Sequence, residues 1–317
     1  MSENNASGWE RSVLEKVALA AVTEQRRARR WGIFFKSLIF VYLFLVLFIA
    51  MGWFGKKDGL VDKHTALVEL NGVIGPASPA SADAIIQGLA DAFKDKRTQG
   101  VILRINSPGG SPVQSGYIND EIKRLRIKYP QIPLYAVVED MCASGGYYVA
   151  VAADKIYVNK ASMIGSIGVL MNGFGFTGTM EKLGVERRLL AAGENKGFLD
   201  PFSPPNDQQN AHAKQMLTEI HEQFIDVVRK GRGKRLKETP EMFSGLVWVG
   251  QKSIELGLAD AIGSAEQVAR DVIKAEEIVD FTLRENVAER FAKRLGASMA
   301  ESMVKLGGAG VFNMQLR

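Results

Sequence analysis

The chain has few of the residues that build metal centres and covalent cross-links. Cys142 is the single cysteine in 317 residues, so neither an intramolecular disulfide nor a cysteine-based zinc site can form. The three histidines, His64, His212 and His221, do not have the spacing of a metal-binding motif. The Gly-x-x-x-x-Gly-Lys-[Ser/Thr] loop that cradles nucleotide phosphates is also missing. We therefore expect no metal and no other cofactor.

The chain also has only a small excess of charge of one sign. The formal net charge is +5, and basic residues alternate with acidic ones everywhere except near the N-terminus. The body of the chain has no Lys/Arg run with interleaved aromatic residues, and its most basic stretch, 229–237, is typical of a solvated helix end. We expect no nucleic-acid partner. The length and the 46% hydrophobic content suffice for one large folded domain or two.

Only one long apolar run occurs, at residues 31–54. No charged residue lies between Lys36 and Lys56. At about 1.5 Å rise per residue, a helix of this length spans a hydrocarbon core of roughly 30 Å. Trp31 and Trp53 stand where an aromatic belt would meet the membrane surface. The run predicts one transmembrane helix.

Basic residues are denser before this run than after it, which predicts its orientation. The positive-inside rule places residues 1–30 in the cytoplasm and residues 65–317 outside it, after a linker at 55–64. The alternative is a cleaved signal peptide with a small-x-small site at 50–52. The long N-terminal region and the length of the apolar run favour an uncleaved anchor.

Beyond the linker, apolar periodicity alternates between that of strands and that of helices. We predict strands at 65–70, 100–105, 133–138, 155–159, 187–191 and 279–283, and helices at 81–94, 113–128, 147–153, 206–230, 250–256, 265–274 and 285–305. The last helix belongs to a C-terminal helical extension, 280–317. This alternation predicts an α/β fold with βαβ units around a parallel sheet. Right-handed crossovers bring the loops at 106–112 and 140–144 to the same sheet edge, where ligands collect.

Ser144 lies at a predicted junction between a buried strand and a buried helix, followed by Gly145 and Gly146. A helix start offers unpaired N–H groups, and glycine lets a substrate approach closely. These are the needs of a serine nucleophile with an oxyanion hole. The alternative is a serine that only caps the helix. Cys142 is a chemical rival, but at the strand end we expect a small buried residue.

A serine nucleophile needs a base, and the histidines are poorly placed to supply one. His64 follows the anchor directly, and His212 and His221 are expected to be surface or half-buried residues in the middle of a helix. A lysine normally titrates near 10.4, but desolvation can lower its pKa by several units. Lys196, in a glycine-flanked loop, suits that role. The residues alone leave it one candidate among several.

Three blocks in this order resemble the signal peptide peptidase A (SppA) family, in its short, single-domain bacterial form. They are Asn-Ser-Pro-Gly-Gly at 106–110, Ala-Ser-Gly-Gly-Tyr-Tyr at 143–148 and Gly-Ser-Ile-Gly-Val at 165–169. Lys196 follows Ser144 by 52 residues, in the loop where this family carries its lysine. The resemblance covers residues 66–262. It implies a ClpP/crotonase-like fold of repeated ββα/βαβ units, preceded by one N-terminal transmembrane helix.

The resemblance also implies a role for each matching residue. It makes Ser144 the nucleophile, Lys196 the general base and Ser166 the residue that orients the lysine. Gly110 and Gly145 match the oxyanion-hole donors, with Gly109 left open as a replacement for Gly110. Short members form a dome-shaped octamer in which serine and lysine come from neighbouring subunits, so we expect a homo-oligomer. We also predict a substrate-binding surface that includes Met163, Ile164 and Leu170.

The activity implied by the family is that of a Ser-Lys dyad serine endopeptidase in the bacterial inner membrane. Its catalytic domain would face the periplasm and degrade signal peptides that signal peptidase has released. One alternative is a related membrane protease that processes other envelope proteins. Two others are a crotonase-type acyl-CoA enzyme, which the anchor disfavours because CoA is cytosolic, and an inactive scaffold that binds peptides or lipids.

Overall fold

The computed structural model describes residues 6–50 and 63–284, which belong to two separate units. In the first unit it describes one helix, α1 (Ala6–Ala50). The second unit, Leu60–Arg284, holds the strands and the remaining helices. Residues 51–54 of the predicted anchor, most of the predicted linker and the predicted helix at 285–305 lie outside the described residues.

Helix α1 contains one stretch, Ser12–Phe48, that is long and apolar enough to cross a membrane. Apolar side chains along it, such as those of Phe40 and Leu43, are exposed, as lipid-facing side chains would be. The helix starts well before the predicted anchor at 31–54. Residues 6–30 contain no proline and are rich in alanine, glutamate and arginine, so helix formation continues through them.

The elements of the second unit follow the predicted alternation. The strands are β1 (His64–Asn71), β2 (Thr98–Ser107), β3 (Leu134–Ala143), β4 (Lys155–Val158), β5 (Met163–Gly165), β6 (Val247–Val249), β7 (Ala261–Ile262) and β8 (Ile278–Asp280). The helices are α2 (Ala82–Lys94), α3 (Pro112–Lys128), α4 (Gly145–Ala150), α5 (Thr177–Lys182), α6 (Asp207–Arg232), α7 (Gly250–Glu255) and α8 (Ala265–Gln267). A 3₁₀ turn (Gly233–Arg235) follows α6, and a π-helical turn (Val268–Ile273) follows α8.

These strands form one mixed sheet. Its order is β6-β5-β3-β2-β1-β8, and β4 pairs with both β3 and β7. Every pairing is parallel except the antiparallel one between β5 and β6. The α/β fold class is confirmed, and parallel strands place the loops that follow β2 and β3 at one edge.

The sheet has a hydrophobic core on each face, because successive side chains of a strand point to opposite sides. Val68 and Leu103 belong to the larger core beneath α2, α3 and α4. Leu67 and Ile102 belong to the smaller core under α8 and the π-helical turn. Burial on both faces explains why β1 to β3 read as almost continuous apolar runs.

Helix boundaries follow local capping signals in the sequence. The Ser81 hydroxyl accepts a hydrogen bond from the Ala84 N–H at 3.4 Å, which starts α2 at the predicted residue. Ser111 caps α3 in the same way, and Pro112 occupies the first helical position, where no N–H is needed. Gly72 takes a positive φ of 88° in the turn after β1.

The strand predicted at 187–191 is wrong. These residues pair with no strand in the part of the chain that the structure describes. Leu190 is 97% exposed. A strand needs a neighbouring strand to satisfy its N–H and C=O groups, and among the described residues no strand lies beside this segment. Asp280 is likewise the last residue of β8 rather than the first residue of a helical extension.

Candidate active site

Ser144 occupies a sharp turn between β3 and α4. Its φ is +50° and its ψ is −123°, a backbone conformation that costs a residue other than glycine about 1–3 kcal/mol. Its side chain makes no capping hydrogen bond, so the interpretation of Ser144 as a simple helix cap is wrong. A strand-to-helix turn of this kind presents the serine nucleophile in α/β-hydrolases. The residue as a whole is half-buried in this turn.

Ser166 lies beside Ser144 because of the sheet register. Ala143 of β3 pairs with Gly165 of β5, and the Ser144 N–H donates to the Gly165 carbonyl at 2.8 Å. Ser166 also has a positive φ, 51°, and its N–H donates to the Leu246 carbonyl at 2.7 Å. Since adjacent strands lie about 4.8 Å apart, both serines stand side by side at one sheet edge.

Two unpaired backbone N–H groups lie near Ser144. Those of Gly110 and Gly145 donate to no acceptor among the described residues. The Gly109 N–H, in contrast, donates to the Ser107 hydroxyl at 3.1 Å. A Cβ atom built on Gly145 would lie 3.2 Å from the Gly110 nitrogen, so the two free donors are close together. This arrangement favours Gly110 over Gly109 as a predicted oxyanion-hole donor.

The glycines of the 106–112 loop are needed for its close approach to neighbouring backbone. The loop is tied to the chain after β1 by the Ile74 N–H, which donates to Gly109, and by the Ser111 N–H, which donates to Ile74. Gly110 has a φ of +150°, and a Cβ there would collide with the Ile74 carbonyl. A Cβ on Gly109 would lie 2.6 Å from the Gly145 nitrogen. Side chains at either position would push the loop away from Ser144.

Lys196 is exposed, and among the described residues no hydrogen bond joins its side chain to Ser144. Its side chain makes no hydrogen bond or ion pair within the part of the chain that the structure describes. It belongs to a stretch, residues 168–206, in which no residue is buried. We call this stretch the Lys196 segment. Its apolar side chains include Leu170, Phe174, Leu183 and Leu190, which are 71–97% exposed.

The predicted substrate-binding residues divide between surface and core. Met163 and Leu170 are exposed, at 39% and 78%. Ile164 is fully buried in the larger core, so its side chain is not available to a substrate, and this part of the prediction is wrong. Because β5 alternates, Met163 and Ile164 must point to opposite faces.

Cys142 is completely buried in the core. Loss of solvation raises the pKa of its thiol well above the usual range. The thiolate is the reactive form of cysteine, so Cys142 is an inert core residue at neutral pH. Complete burial and the raised pKa both argue against the cysteine alternative to Ser144.

The three histidines differ in their relation to the site. His64 begins β1, at the opposite edge of the sheet from Ser144, and burial lowers its pKa. His212 is exposed, with its ring 5.8 Å from that of Phe198. The His221 Nε2 lies 3.2 Å from the carbonyl oxygen of Ile167, the residue after Ser166. No sequence signal linked His221 to the site, since 54 residues separate the two partners.

Helix α4, which starts directly after Ser144, is anchored by buried polar groups. The buried Tyr147 hydroxyl donates to the Leu258 carbonyl at 2.8 Å. Next to it, the Arg232 guanidinium donates to both carboxylate oxygens of Asp260, at 2.8 and 2.9 Å. Burial alone would raise the pKa of Asp260, but the hydrogen bonds and charge of Arg232 hold it below its usual range. Sequence patterns gave no sign of this pair.

Two clefts lie near the site, and the described residues hold no candidate metal centre. The described residues contain no group of three His, Cys, Asp or Glu side chains that could hold a metal ion. Two polar clefts of about 300 and 240 Å³ open beside Glu139 and Asp140, and Ser144 and Ser166 line neither of them. The serines stand instead at an open edge, which suits an extended chain more than a small enclosed ligand.

Comparison with known families gives one match. Residues 126–279 match Peptidase family S49. The matched range includes α4, β5, the Lys196 segment and α6. It therefore contains Ser144, Ser166 and Lys196.

Individual proteins similar to the chain carry different names. A protein named putative signal peptide peptidase SppA from Enterococcus faecium is 30% identical over 256 residues, 77% of this chain and 74% of that protein. A putative protease from Methanocaldococcus jannaschii is 31% identical over 216 residues, 67% of this chain and 68% of that protein.

A Brucella abortus protein named Na(+)/H(+) antiporter NhaA is 41% identical over 215 residues, 66% of this chain. The aligned part is only 29% of that protein, and a second such protein, from Brucella melitensis, is covered to 28%. The chain thus spans less than a third of these two relatives. Their name describes proteins much longer than the shared part.

Proposed function

The chain belongs to the SppA family of peptidases, Peptidase family S49, and we propose from this membership that it is a membrane-anchored serine endopeptidase. One observation carries the proposal. Among the described residues, the hydroxyl of Ser144 at its strained turn and the nearby N–H groups of Gly110 and Gly145 have no hydrogen-bond partner. A nucleophile with two preorganised donors is the machinery of acyl transfer. The apolar helix α1 supports the anchor.

In the proposed mechanism, the Ser144 Oγ attacks the carbonyl carbon of a peptide bond. The Lys196 Nζ takes the hydroxyl proton and later gives it to the leaving amine. The Gly110 and Gly145 N–H groups stabilise the negative charge on the carbonyl oxygen, a contribution of roughly 10²–10³ in kcat for each donor. The acyl-enzyme is then hydrolysed by water, which loses a proton to Lys196, and Lys196 returns that proton to the Ser144 Oγ as the carboxylic acid product leaves. The Ser166 hydroxyl orients the lysine.

We further propose that Ser144 and Lys196 of one site come from different subunits of a homo-oligomer, an octamer by family resemblance. The absence of any contact between the two side chains within the described residues supports this arrangement. So does the Lys196 segment, whose exposed apolar side chains need a surface to cover them. Packing against a neighbour would desolvate the amine, which favours its neutral, proton-accepting form.

For the substrate, we propose signal peptides that signal peptidase has released. Such peptides are extended and apolar, which suits the open sheet edge and the exposed Met163 and Leu170. The asymmetry of basic residues around the apolar run at 31–54 supports an N-terminus in the cytoplasm and a catalytic unit in the periplasm, anchored in the inner membrane. Processing of intact envelope proteins is the second candidate, since the open edge also admits a chain that continues on both sides.

The test uses the full chain in detergent micelles and a fluorogenic peptide with the sequence of a signal-peptide apolar region. Wild type should cleave it, and Ser144→Ala and Lys196→Ala should each lose activity while remaining folded and oligomeric. Lys182→Ala, a lysine elsewhere in the Lys196 segment, is the matched control and should stay active. Activity retained in Ser144→Ala would exclude the proposed nucleophile. Comparing the free peptide with the same sequence joined to a mature region separates the two substrate candidates.

Co-expression of the two inactive variants tests the shared site. If serine and lysine come from neighbouring subunits, random assembly leaves about a quarter of the sites with both groups intact, so activity returns to about that level. If both groups belong to one subunit, the mixture stays inactive. An acyl-CoA enzyme or an inactive scaffold would show no cleavage in any sample and no covalent labelling of Ser144 by a fluorophosphonate.

A further inference from the structure

We propose that His221 is a positioning residue of the active site, which holds the Ser166 turn through the Ile167 carbonyl. This inference rests on the proposed peptidase function. The His221 Nε2 lies 3.2 Å from the Ile167 oxygen. A carbonyl oxygen can only accept a hydrogen bond, so the imidazole donates from Nε2 and carries its proton there.

The turn that His221 contacts is strained and needs support. Ser166 has a φ of +51°, a left-handed backbone conformation that is strained for an L-residue with a side chain. Three hydrogen bonds surround it: the Ser166 N–H donates to Leu246, the Ser144 N–H donates to Gly165, and His221 donates to Ile167. The first two join backbone groups. The His221 bond is the one of the three that comes from a side chain, and so the one that a substitution can remove.

The imidazole is itself held in place by helix packing. One turn after His221, the Phe224 ring packs against Tyr148 with centroids 5.2 Å apart. Tyr148 belongs to α4, and its N–H donates to the Ser144 carbonyl at 2.9 Å. Helix α6 is therefore fixed to the helix that follows the nucleophile, while its histidine holds the turn of the second serine. His221 links the positions of Ser144 and Ser166.

The consequence for the reaction follows from the role of Ser166. If its hydroxyl orients the incoming lysine, a relaxed turn moves that hydroxyl and misaligns the base. The Ile167 carbonyl already accepts the His221 hydrogen bond, so in this proposal it is not a contact for the substrate. Loss of the His221 bond should therefore lower kcat and leave KM unchanged.

The experiment compares two substitutions of nearly matched size in the full chain. Glutamine carries its amide nitrogen the same number of bonds from Cα as the histidine Nε2, so His221→Gln keeps the donor, and His221→Leu removes it. We expect His221→Leu to lose kcat on the order of tenfold, with KM unchanged and the thermal midpoint lowered by about 2–4 °C through the lost hydrogen bond, and His221→Gln to stay close to wild type. Glu222→Gln, an exposed neighbour on the same helix, is the control and should match wild type.

Several results overturn the inference. The inference is wrong if His221→Leu has the kcat of the wild type. It is also wrong if His221→Leu and His221→Gln lose kcat equally, because the hydrogen-bond donor would then have no effect. A rise in KM alone also overturns it. If His221→Leu fails to fold, His221→Asn, polar but too short to reach the carbonyl, is judged by the same criteria. A wild-type chain that neither cleaves peptides nor reacts with a fluorophosphonate refutes the proposed function itself, and the His221 role falls with it.

Discussion

Replacing Gly145 with alanine separates the packing of α4 from the chemistry of the proposed oxyanion hole. A Cβ at this position would lie 2.5 Å from the Ser115 Oγ and 3.2 Å from the Gly110 nitrogen. The first distance is a steric clash. The second places a methyl group over a free N–H donor. One substitution therefore disturbs two neighbours, and only one of them belongs to the proposed site.

The expected magnitudes differ enough to be told apart. Overpacking against Ser115 costs about 1–3 kcal/mol, and alanine recovers about 1 kcal/mol because Gly145 is a helical residue. Gly145→Ala should therefore lose roughly 0–2 kcal/mol in the free energy of unfolding. Covering one oxyanion donor should cost about 10²–10³ in kcat, which corresponds to about 2.7–4 kcal/mol. Activity should fall far more than stability.

A second substitution tests this separation. Ser115→Ala removes the clashing hydroxyl, so the double variant should regain its stability and keep the defect in kcat. Thermal unfolding and peptide hydrolysis measure the two effects in the same samples. Gly116→Ala is the matched control, because a Cβ on this helical glycine would meet nothing within 4 Å. If the double variant recovers wild-type kcat, the methyl group acted through Ser115, and Gly110 is not an oxyanion donor.

Three further predictions concern residues outside this pocket. Cys142→Ala should keep full activity. In the wild type, a thiol reagent should modify Cys142 only on unfolding, because burial raises the pKa of the thiol and blocks access of the reagent. Rapid labelling of the native chain would contradict this. Asp260→Ala should cost about 3–5 kcal/mol in urea denaturation, because it leaves the buried Arg232 without its carboxylate partner. The pKa of Asp260 is lowered in the folded state, so the stabilisation by its carboxylate is present above about pH 4 and is lost as the pH falls through the folded pKa. Asp260→Asn lacks this titrating group. If its thermal midpoint depends on acid in the same way as that of the wild type, this contribution is refuted. Leu190→Asp should dissociate the oligomer in light scattering and abolish cleavage without unfolding the subunit; a fully active monomer would refute the shared site.

The parts of the fold that depend on local signals were predictable from sequence. Strand β1, strand β2 and helices α2, α3 and α6 begin and end within a few residues of the predicted bounds. Ser81 and Pro112 mark helix starts through chemistry that acts within one turn. The position of Ser144 between a strand and a helix follows from the same local patterns.

The features that depend on pairing between distant segments were not predictable in this way. The choice between Gly109 and Gly110 turns on the Ser107 hydroxyl, whose orientation no spacing reveals. The contact between His221 and Ile167 depends on how α6 crosses the sheet edge. At 187–191 an apolar pattern predicted a strand, because periodicity carries no information about whether a neighbouring edge exists.

The pairing of Ala143 with Gly165 has a consequence for how this site tolerates change. The separation between the two serines is inherited from the spacing of hydrogen-bonded strands, which is about the same whatever side chains the strands carry. Substitutions throughout β3 and β5 can therefore alter stability without moving one hydroxyl away from the other. Insertion or deletion of a single residue in β5 is different, because it turns every following side chain to the opposite face of the sheet. We therefore expect the number of residues in β3 and β5 to matter more for the site than the identity of their side chains.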